Sequence, residues 1–295
     1  MMANQQSATP LQALSGALSD VVARAAPAIV AVHSHRSRAS GFVWRPGLIV
    51  TASEALAEDG EISVVLRGGE TVSASLAGRD PTTDIALLRV GSAQAKPVEA
   101  TAETLMTGSL AVVVGAHDGE PTAALGVVAL AGAAWRSMRG GDINARIELD
   151  LSLRRASEGG LALDPTGRAI GMAVFGPRRR VLVIPSATID RVAAKLETLG
   201  RIPRGYLGLG LQPVKLDNAG VGAMVMSVDG KGPGAAAGVR QGDVIVAFDG
   251  QPLRNVQTLV RSLGPDRVGA VVRLALQRAG EPAEASLTIG ERPED

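Results

Sequence analysis

The chain has 295 residues, 46% of them apolar, with 36 glycines, 16 prolines, two tryptophans, one tyrosine, three phenylalanines and a formal charge of +1. That length suits two ordinary domains or one large and one small, and the composition favours Val, Leu, Ala and Ile cores and excludes disorder and coiled coil. Scattered arginines exclude a nucleic-acid stripe, the lack of cysteine excludes disulfides and thiol chemistry, and no apolar run reaches the ~20 residues of a membrane span.

Met1 to Ser7 shows no basic segment followed by an apolar one, so as written it is not a secretory signal. The expectation is a soluble, cytoplasmic chain, or a periplasmic one if a leader lies outside this sequence. Leu11, Leu14, Leu18, Val21 and Val22 recur at near-helical spacing and predict a short amphipathic helix from Pro10 to Ala25. From Ala28 to Ile184 the pattern changes to short β-branched runs broken by Gly, Pro and Asp. Examples are Ala28–Val32, Gly47–Thr51, Ile62–Leu66, Ile85–Val90, Leu110–Gly115, Ala124–Leu130 and Arg180–Ile184. Many short strands at close spacing predict an antiparallel barrel or sandwich. Ser186 to Leu199 reads as a helix with Ser186 as N-cap and Gly200 just past its end. The implied organisation is an N-terminal segment 1–27, a main domain 28–200, a linker 201–205, a smaller strand-rich domain 206–290 and a tail 291–295. Arg178, Arg179 and Arg180 read as a solvated turn. His33, His35 and His117 read as exposed edge residues; an alternating His pair on one strand face could hold a metal, but no metal site is expected.

Four segments of the main domain carry motifs. Ser40-Gly41-Phe42 leads through Gly47-Leu48-Ile49-Val50-Thr51 to Ser53-Glu54-Ala55. Asp80-Pro81-Thr82-Thr83-Asp84 is followed by the strand Ile85–Val90. Arg155-Ala156-Ser157-Glu158-Gly159-Gly160 runs into Leu161–Gly171, and Val183-Ile184-Pro185-Ser186 precedes the helix. In this order the four resemble the chymotrypsin-like proteases of the HtrA (Do-like) family. The resemblance implies a mainly β fold: a double six-stranded β-barrel domain followed by a PDZ domain. It also locates the triad. The general-base histidine is replaced by Glu54, the orienting aspartate is retained as Asp84, and the nucleophilic serine is replaced by Glu158. Ala156 stands where the family places the glycine of the oxyanion site. A triad needs a nucleophile and a base to take its proton, and a carboxylate forms no ordinary acyl-enzyme. Three converging carboxylates would also repel one another and raise at least one pKa. Ser157 and Ser53 sit one residue out of register for rescue. The carboxylates match no dedicated calcium loop, and no cofactor is implied.

Downstream, Gly205-Tyr206-Leu207-Gly208-Leu209 and Gly232-Pro233 through Gly242-Asp243-Val244-Ile245 resemble the PDZ domain that follows the protease in this family. Tyr206, Leu207, Gly208 and Leu209 would offer backbone N–H groups to a peptide's terminal carboxylate, and the strand after them would pair with the peptide. Leu207, Leu209 and Leu211, with Leu259 and Leu263 of a helix capped by Asn255, would line an apolar pocket. Some of these leucines could equally be core. Asp249-Gly250 marks a hairpin turn.

The expected function is therefore that of a catalytically inactive pseudoprotease. It would bind peptides or protein C-termini, including those of other HtrA-family or envelope proteins, as adaptor, regulator or holdase. Two alternatives stand beside it: a serine endopeptidase with a non-standard site, and a scaffold holding a partner in the barrel cleft. The resemblance implies trimers built on N-terminal aromatic residues; here no aromatic precedes Phe42, so the oligomeric state is left open.

Overall fold

The computed structural model describes residues 9–35, 37–91, 96–101, 105–216 and 220–293; the residues read above for a leader lie outside these. Helix α1 (Pro10–Ala25) starts on a capping box. The Thr9 N–H donates to Gln12 Oε1 at 2.8 Å and the Gln12 N–H donates to Thr9 Oγ1 at 3.3 Å. Only Val21 and Ala25 of the helix are buried, and Leu11 is 76% exposed. The helix forms as its periodicity predicts, yet its first turns leave their apolar residues uncovered.

The barrel strands follow in chain order: β1 (Ile29–Ser34), β2 (Ser37–Arg45), β3 (Leu48–Ala52), β4 (Ile62–Val65), β5 (Thr71–Asp80) and β6 (Ile85–Val90). They close in the order β1-β2-β3-β6-β5-β4, because β1 pairs antiparallel with both β2 and β4. β3 is buried along its whole length, as its apolar run predicts. β7 (Leu110–His117) and β8 (Glu120–Gly132) open a second barrel, and β9 (Trp135–Arg136) and β10 (Asp142–Ile143) form a short ribbon. β11 (Arg146–Asp150), β12 (Leu161–Leu163), β13 (Ala169–Phe175) and β14 (Val181–Pro185) complete that barrel in the order β11-β14-β13-β12-β7-β8. Its core is built of small residues such as Ala111, Val113, Val128, Ala162 and Ala173, which is how a chain so poor in aromatics fills a barrel interior.

Helix α2 (Ser186–Leu199) packs on β5, β6, β13 and β14 through Ile189, Val192, Ala193 and Leu196. Gly200 ends it at φ 71°, the left-handed cap that glycine favours. Ser186 is not the N-cap. Pro185 holds that position, and the Ser186 hydroxyl instead donates to the Ala169 carbonyl at 3.2 Å.

Two compact units part between Arg201 and Ile202. The second holds β15 (Gly205–Tyr206), β16 (Leu209–Lys215), β17 (Val221–Val228), α3 (Pro233–Ala236), β18 (Val244–Phe248), β19 (Gln251–Pro252), α4 (Val256–Arg261), β20 (Val271–Arg278), β21 (Glu281–Thr288) and β22 (Gly290–Glu291). Its main sheet has the order β16-β17-β18-β20-β21, with β19 on β18. Asp249 at φ 53° and Gly250 at φ 77° make the tight turn that joins β18 to β19. The end of the expected linker and the start of the expected tail belong to this unit, since β15 pairs with β22 and the Arg292 N–H donates to the Arg204 carbonyl at 2.8 Å. Asp243 is buried and chelated by Arg278 through two bonds of 2.8 Å, which hold its carboxyl below the usual range.

Leu196 is fully buried between α2 and the barrels, so Leu196→Ala should lower the stability of the first unit by roughly 2–5 kcal/mol, read from urea denaturation.

Candidate functional site

The cleft of the first unit is organised by Ser40 on β2, which is fully buried. Its hydroxyl donates to the Ala156 carbonyl at 2.7 Å and accepts the Ala116 N–H of β7 at 2.9 Å. Its N–H donates to the Glu158 carbonyl at 2.8 Å, and its own carbonyl accepts Thr51 Oγ1 of β3 at 2.7 Å. One residue thus ties β3 of the first barrel and β7 of the second to the loop between β11 and β12. Two glycines permit the approach. A Cβ on Gly159, at φ 83°, would stand 2.3 Å from the Ser40 carbonyl oxygen, and one on Gly115 would stand 2.7 Å from the Ser40 hydroxyl.

Held in this way, Arg155–Ser157 forms a single 3-10 turn. The Ser157 N–H donates to the Arg154 carbonyl at 2.9 Å and the Glu158 N–H donates to the Arg155 carbonyl at 3.1 Å. An oxyanion hole needs the N–H at this second position aimed at the substrate; here a carbonyl of the same loop takes it.

The three carboxylates expected at the triad meet at this cleft. Asp84 sits at φ 58° just before β6, and its Oδ1 accepts the Glu54 N–H at 2.7 Å. Its carbonyl accepts the Ser53 N–H at 3.2 Å. The Glu54 side chain is exposed and that of Glu158 half-buried. Glu158 Oε1 accepts the Phe175 N–H of β13 at 3.3 Å. Desolvation pushes the Glu158 carboxyl above the usual range and the charge of Glu54 adds to this, while the Phe175 bond, Arg155 and Arg179 act the other way. Burial, rather than mutual repulsion, is the larger cause.

Ser157 is buried, with its Oγ 3.0 Å from Thr122 Oγ1, and Ser53 is buried as well. Of the histidines, His35 and His117 are exposed, as read from the sequence, and His33 is half-buried. His35 leaves β1 at φ 52°, so it does not continue the strand face that carries His33. His33 lies 2.8 Å from an Arg38 nitrogen and 3.5 Å from Asp118, which also lies 3.6 Å from His117. Desolvation, with the charge of Arg38, lowers its pKa. Arg178, Arg179 and Arg180 are exposed, as read from the sequence.

In the second unit, Leu207 and Gly208 form the loop between Tyr206 of β15 and Leu209 of β16, with Gly208 left-handed at φ 72°. The Leu207 carbonyl accepts the Gly234 N–H and the Gly208 carbonyl accepts the Asp229 N–H, both at 2.8 Å. Asp229, missed in the sequence, also accepts the Tyr206 hydroxyl at 2.9 Å and the Lys231 N–H at 3.0 Å. The only signal for it was the Asp229-Gly230 turn pair. With those carbonyls held, a left-handed residue turns successive N–H groups to one side. Beside the loop, β16 pairs within its sheet only with β17 among the described residues, and α4 packs near it. The leucine set divides. Leu207 and Leu259 are 3% and 1% exposed in the core, whereas Leu209, Leu211 and Leu263 are partly buried at its margin. The expected pocket wall is therefore mainly the latter three. The Asn255 cap is present, its Oδ1 accepting the Thr258 N–H at 2.7 Å, although α4 stops at Arg261, short of the expected Leu263.

Two closed barrels meeting at such a cleft, followed by this sheet, define a trypsin-like peptidase domain with one PDZ domain. Residues 39–172 match the family of the trypsin-like peptidase domain and residues 205–289 that of the PDZ domain. The chain is 31% identical over 277 residues to the probable periplasmic serine endoprotease DegP-like of Brucella suis biovar 1 (strain 1330), covering 88% of this chain and 53% of that one. It is 28% identical over 277 residues to the protein of the same description from Rhizobium meliloti (strain 1021), covering 88% and 54%. The serine endoprotease from Yersinia pestis has a similar structure, with a TM-score of 0.71 at 25% identity over 93% of this chain and 98% of that one. By fold and domain order the chain belongs to the HtrA (Do-like) family. It spans about half the length of the curated relatives it matches. Their description as periplasmic overturns the cytoplasmic expectation, which rested on where the sequence starts.

Because folding raises the Glu158 pKa, its contribution to stability is fully present below the usual glutamate range and lost as pH rises through the raised value. Glu158→Gln should therefore unfold at higher urea than the parent at pH 7, and the difference should vanish on acidification below that range.

Proposed function

We propose that this chain is a periplasmic HtrA-type pseudoprotease that holds peptides or protein C-termini through its PDZ domain. The observation that carries the catalytic half is the pairing of two lost side chains with one lost donor. Glutamates stand at the base and nucleophile positions, and the Glu158 N–H is bonded back to Arg155. No proton acceptor of imidazole type is left beside a hydroxyl nucleophile, and the backbone geometry for stabilising an oxyanion is taken up by the 3-10 turn. The binding half is supported by the left-handed loop at Gly208, the open edge of β16 and the apolar margin of Leu209, Leu211 and Leu263. These parts suit β-augmentation, in which backbone bonds supply affinity and side-chain pockets supply selectivity. Adaptor, regulator and holdase roles all follow from holding without cutting.

A second reading has one finding behind it: the relatives are named serine endoproteases. Casein cleavage with a fluorophosphonate probe separates the two. The chain should give neither turnover nor labelling, and labelling abolished by Ser157→Ala would sink the pseudoenzyme reading. Restoring both side chains, Glu54→His with Glu158→Ser, should still leave activity roughly 10²-fold or more below that of the Yersinia pestis enzyme, since one missing oxyanion donor alone costs that much.

For the groove, a library of peptides with free C-termini screened by fluorescence anisotropy should give apolar-ended hits. Leu209→Asp puts a charge at the apolar margin and should weaken them roughly tenfold or more. Hits that survive the substitution unchanged would place the binding elsewhere.

A further inference from the structure

β12 covers only part of β13. Leu161, Ala162 and Leu163 pair with Met172, Gly171 and Ala169, and there the strand ends. The loop before it carries the ladder on. The Ala173 N–H donates to the Gly160 carbonyl and the Gly159 N–H donates to the Ala173 carbonyl, both at 2.8 Å. The next residue of β13 on that side is Phe175, because N–H groups alternate along a strand. Among the described residues no loop carbonyl meets it. The acceptor is Glu158 Oε1, at 3.3 Å. A side chain supplies what a neighbouring strand's backbone would.

The surroundings favour that placement. Arg179 lies 5.3 Å over the Phe175 ring, and the charges of Arg155 and Arg179 support the anion while Glu54 opposes it. The Glu158 backbone is fixed independently, by its carbonyl on the Ser40 N–H and its N–H on Arg155. Such anchoring aims the side chain along β13. A serine in the same backbone position ends at Oγ, too short to span to the amide that the carboxylate reaches.

We propose that Glu158 is a built-in occupant of the barrel cleft: its carboxylate completes the hydrogen-bond ladder of β13 at Phe175 and closes that strand edge to an incoming extended segment. The residue at the lost nucleophile position then has a use of its own, keeping the degenerate cleft shut. The inference concerns the first unit alone and stands whether or not the PDZ groove binds peptides.

Hydrogen exchange of the full chain, read amide by amide by NMR, tests it. In Glu158→Ala the Phe175 amide should exchange about tenfold faster or more, while Ala173, bonded to the Gly160 carbonyl, keeps its parent rate. Glu158→Gln retains an acceptor oxygen and should leave Phe175 within about threefold of the parent. A smaller change than this in Glu158→Ala, or an equal gain in Glu158→Gln, overturns the proposal. A second measurement needs no variant. In the parent chain the Phe175 amide proton shift should titrate in one step above the usual glutamate range, and a shift that stays flat from pH 3 to pH 8 overturns it equally.

Discussion

A single buried serine holds the cleft of this protein together. Ser40 uses its hydroxyl, its N–H and its carbonyl on four partners, and those partners come from β3, β7 and the loop at Glu158. Each bond is worth only about 1 kcal/mol net. Leaving any of these buried groups without its partner costs more, about 1–3 kcal/mol, so the arrangement is enforced mainly by the penalty for breaking it. The glycines at 115 and 159 belong to the same constraint. They are the positions where a Cβ would push the hub apart.

The fixed loop is independent of the triad side chains, so the fold can persist under the loss of chemistry proposed above. Barrel closure, α2 docking and the Ser40 network make no use of a histidine at 54 or a serine at 158. The bond to the Asp84 carboxylate comes from the backbone N–H of Glu54, so it does not depend on the side chain at 54. What catalysis adds is a set of groups poised for a transition state, and in the proposed reading the groups at those positions serve other partners. Ser157 faces Thr122, the Glu158 N–H faces Arg155, and the Glu158 carboxylate faces Phe175.

Much of this was legible from residue order. Helix α2 could be bounded at both ends because its apolar period stops against a glycine, and the β-branched runs marked most barrel strands. β5 was harder to see. Ser73, Ala74, Ser75, Gly78 and Arg79 give it little apolar signal, since it forms through pairing with β4 and β6 more than through propensity. The triad positions are assigned from the sequence motifs alone. The turn at Arg155–Ser157 could not be read from them, because it depends on Ser40, more than a hundred residues away. For the same reason, Leu207 and Leu259 looked like pocket residues in a linear pattern and prove to be core once the sheet and α4 fold over them. Asp229 escaped notice because its role comes from three partners that only the fold brings together.

β16 carries Pro213 near its middle, and within its sheet this strand has a neighbour on one side only. Proline lacks the N–H that a ladder requires and is tolerated mainly on strands at a sheet's border. An open border attracts any extended chain, including another copy of the same protein, and unbroken borders seed aggregates. With one rung missing, this border can accept a short guest beside the Gly208 loop but offers a poor template for a long, self-propagating stack. For a protein whose proposed work is to hold exposed chain ends, the proline separates capture from contagion.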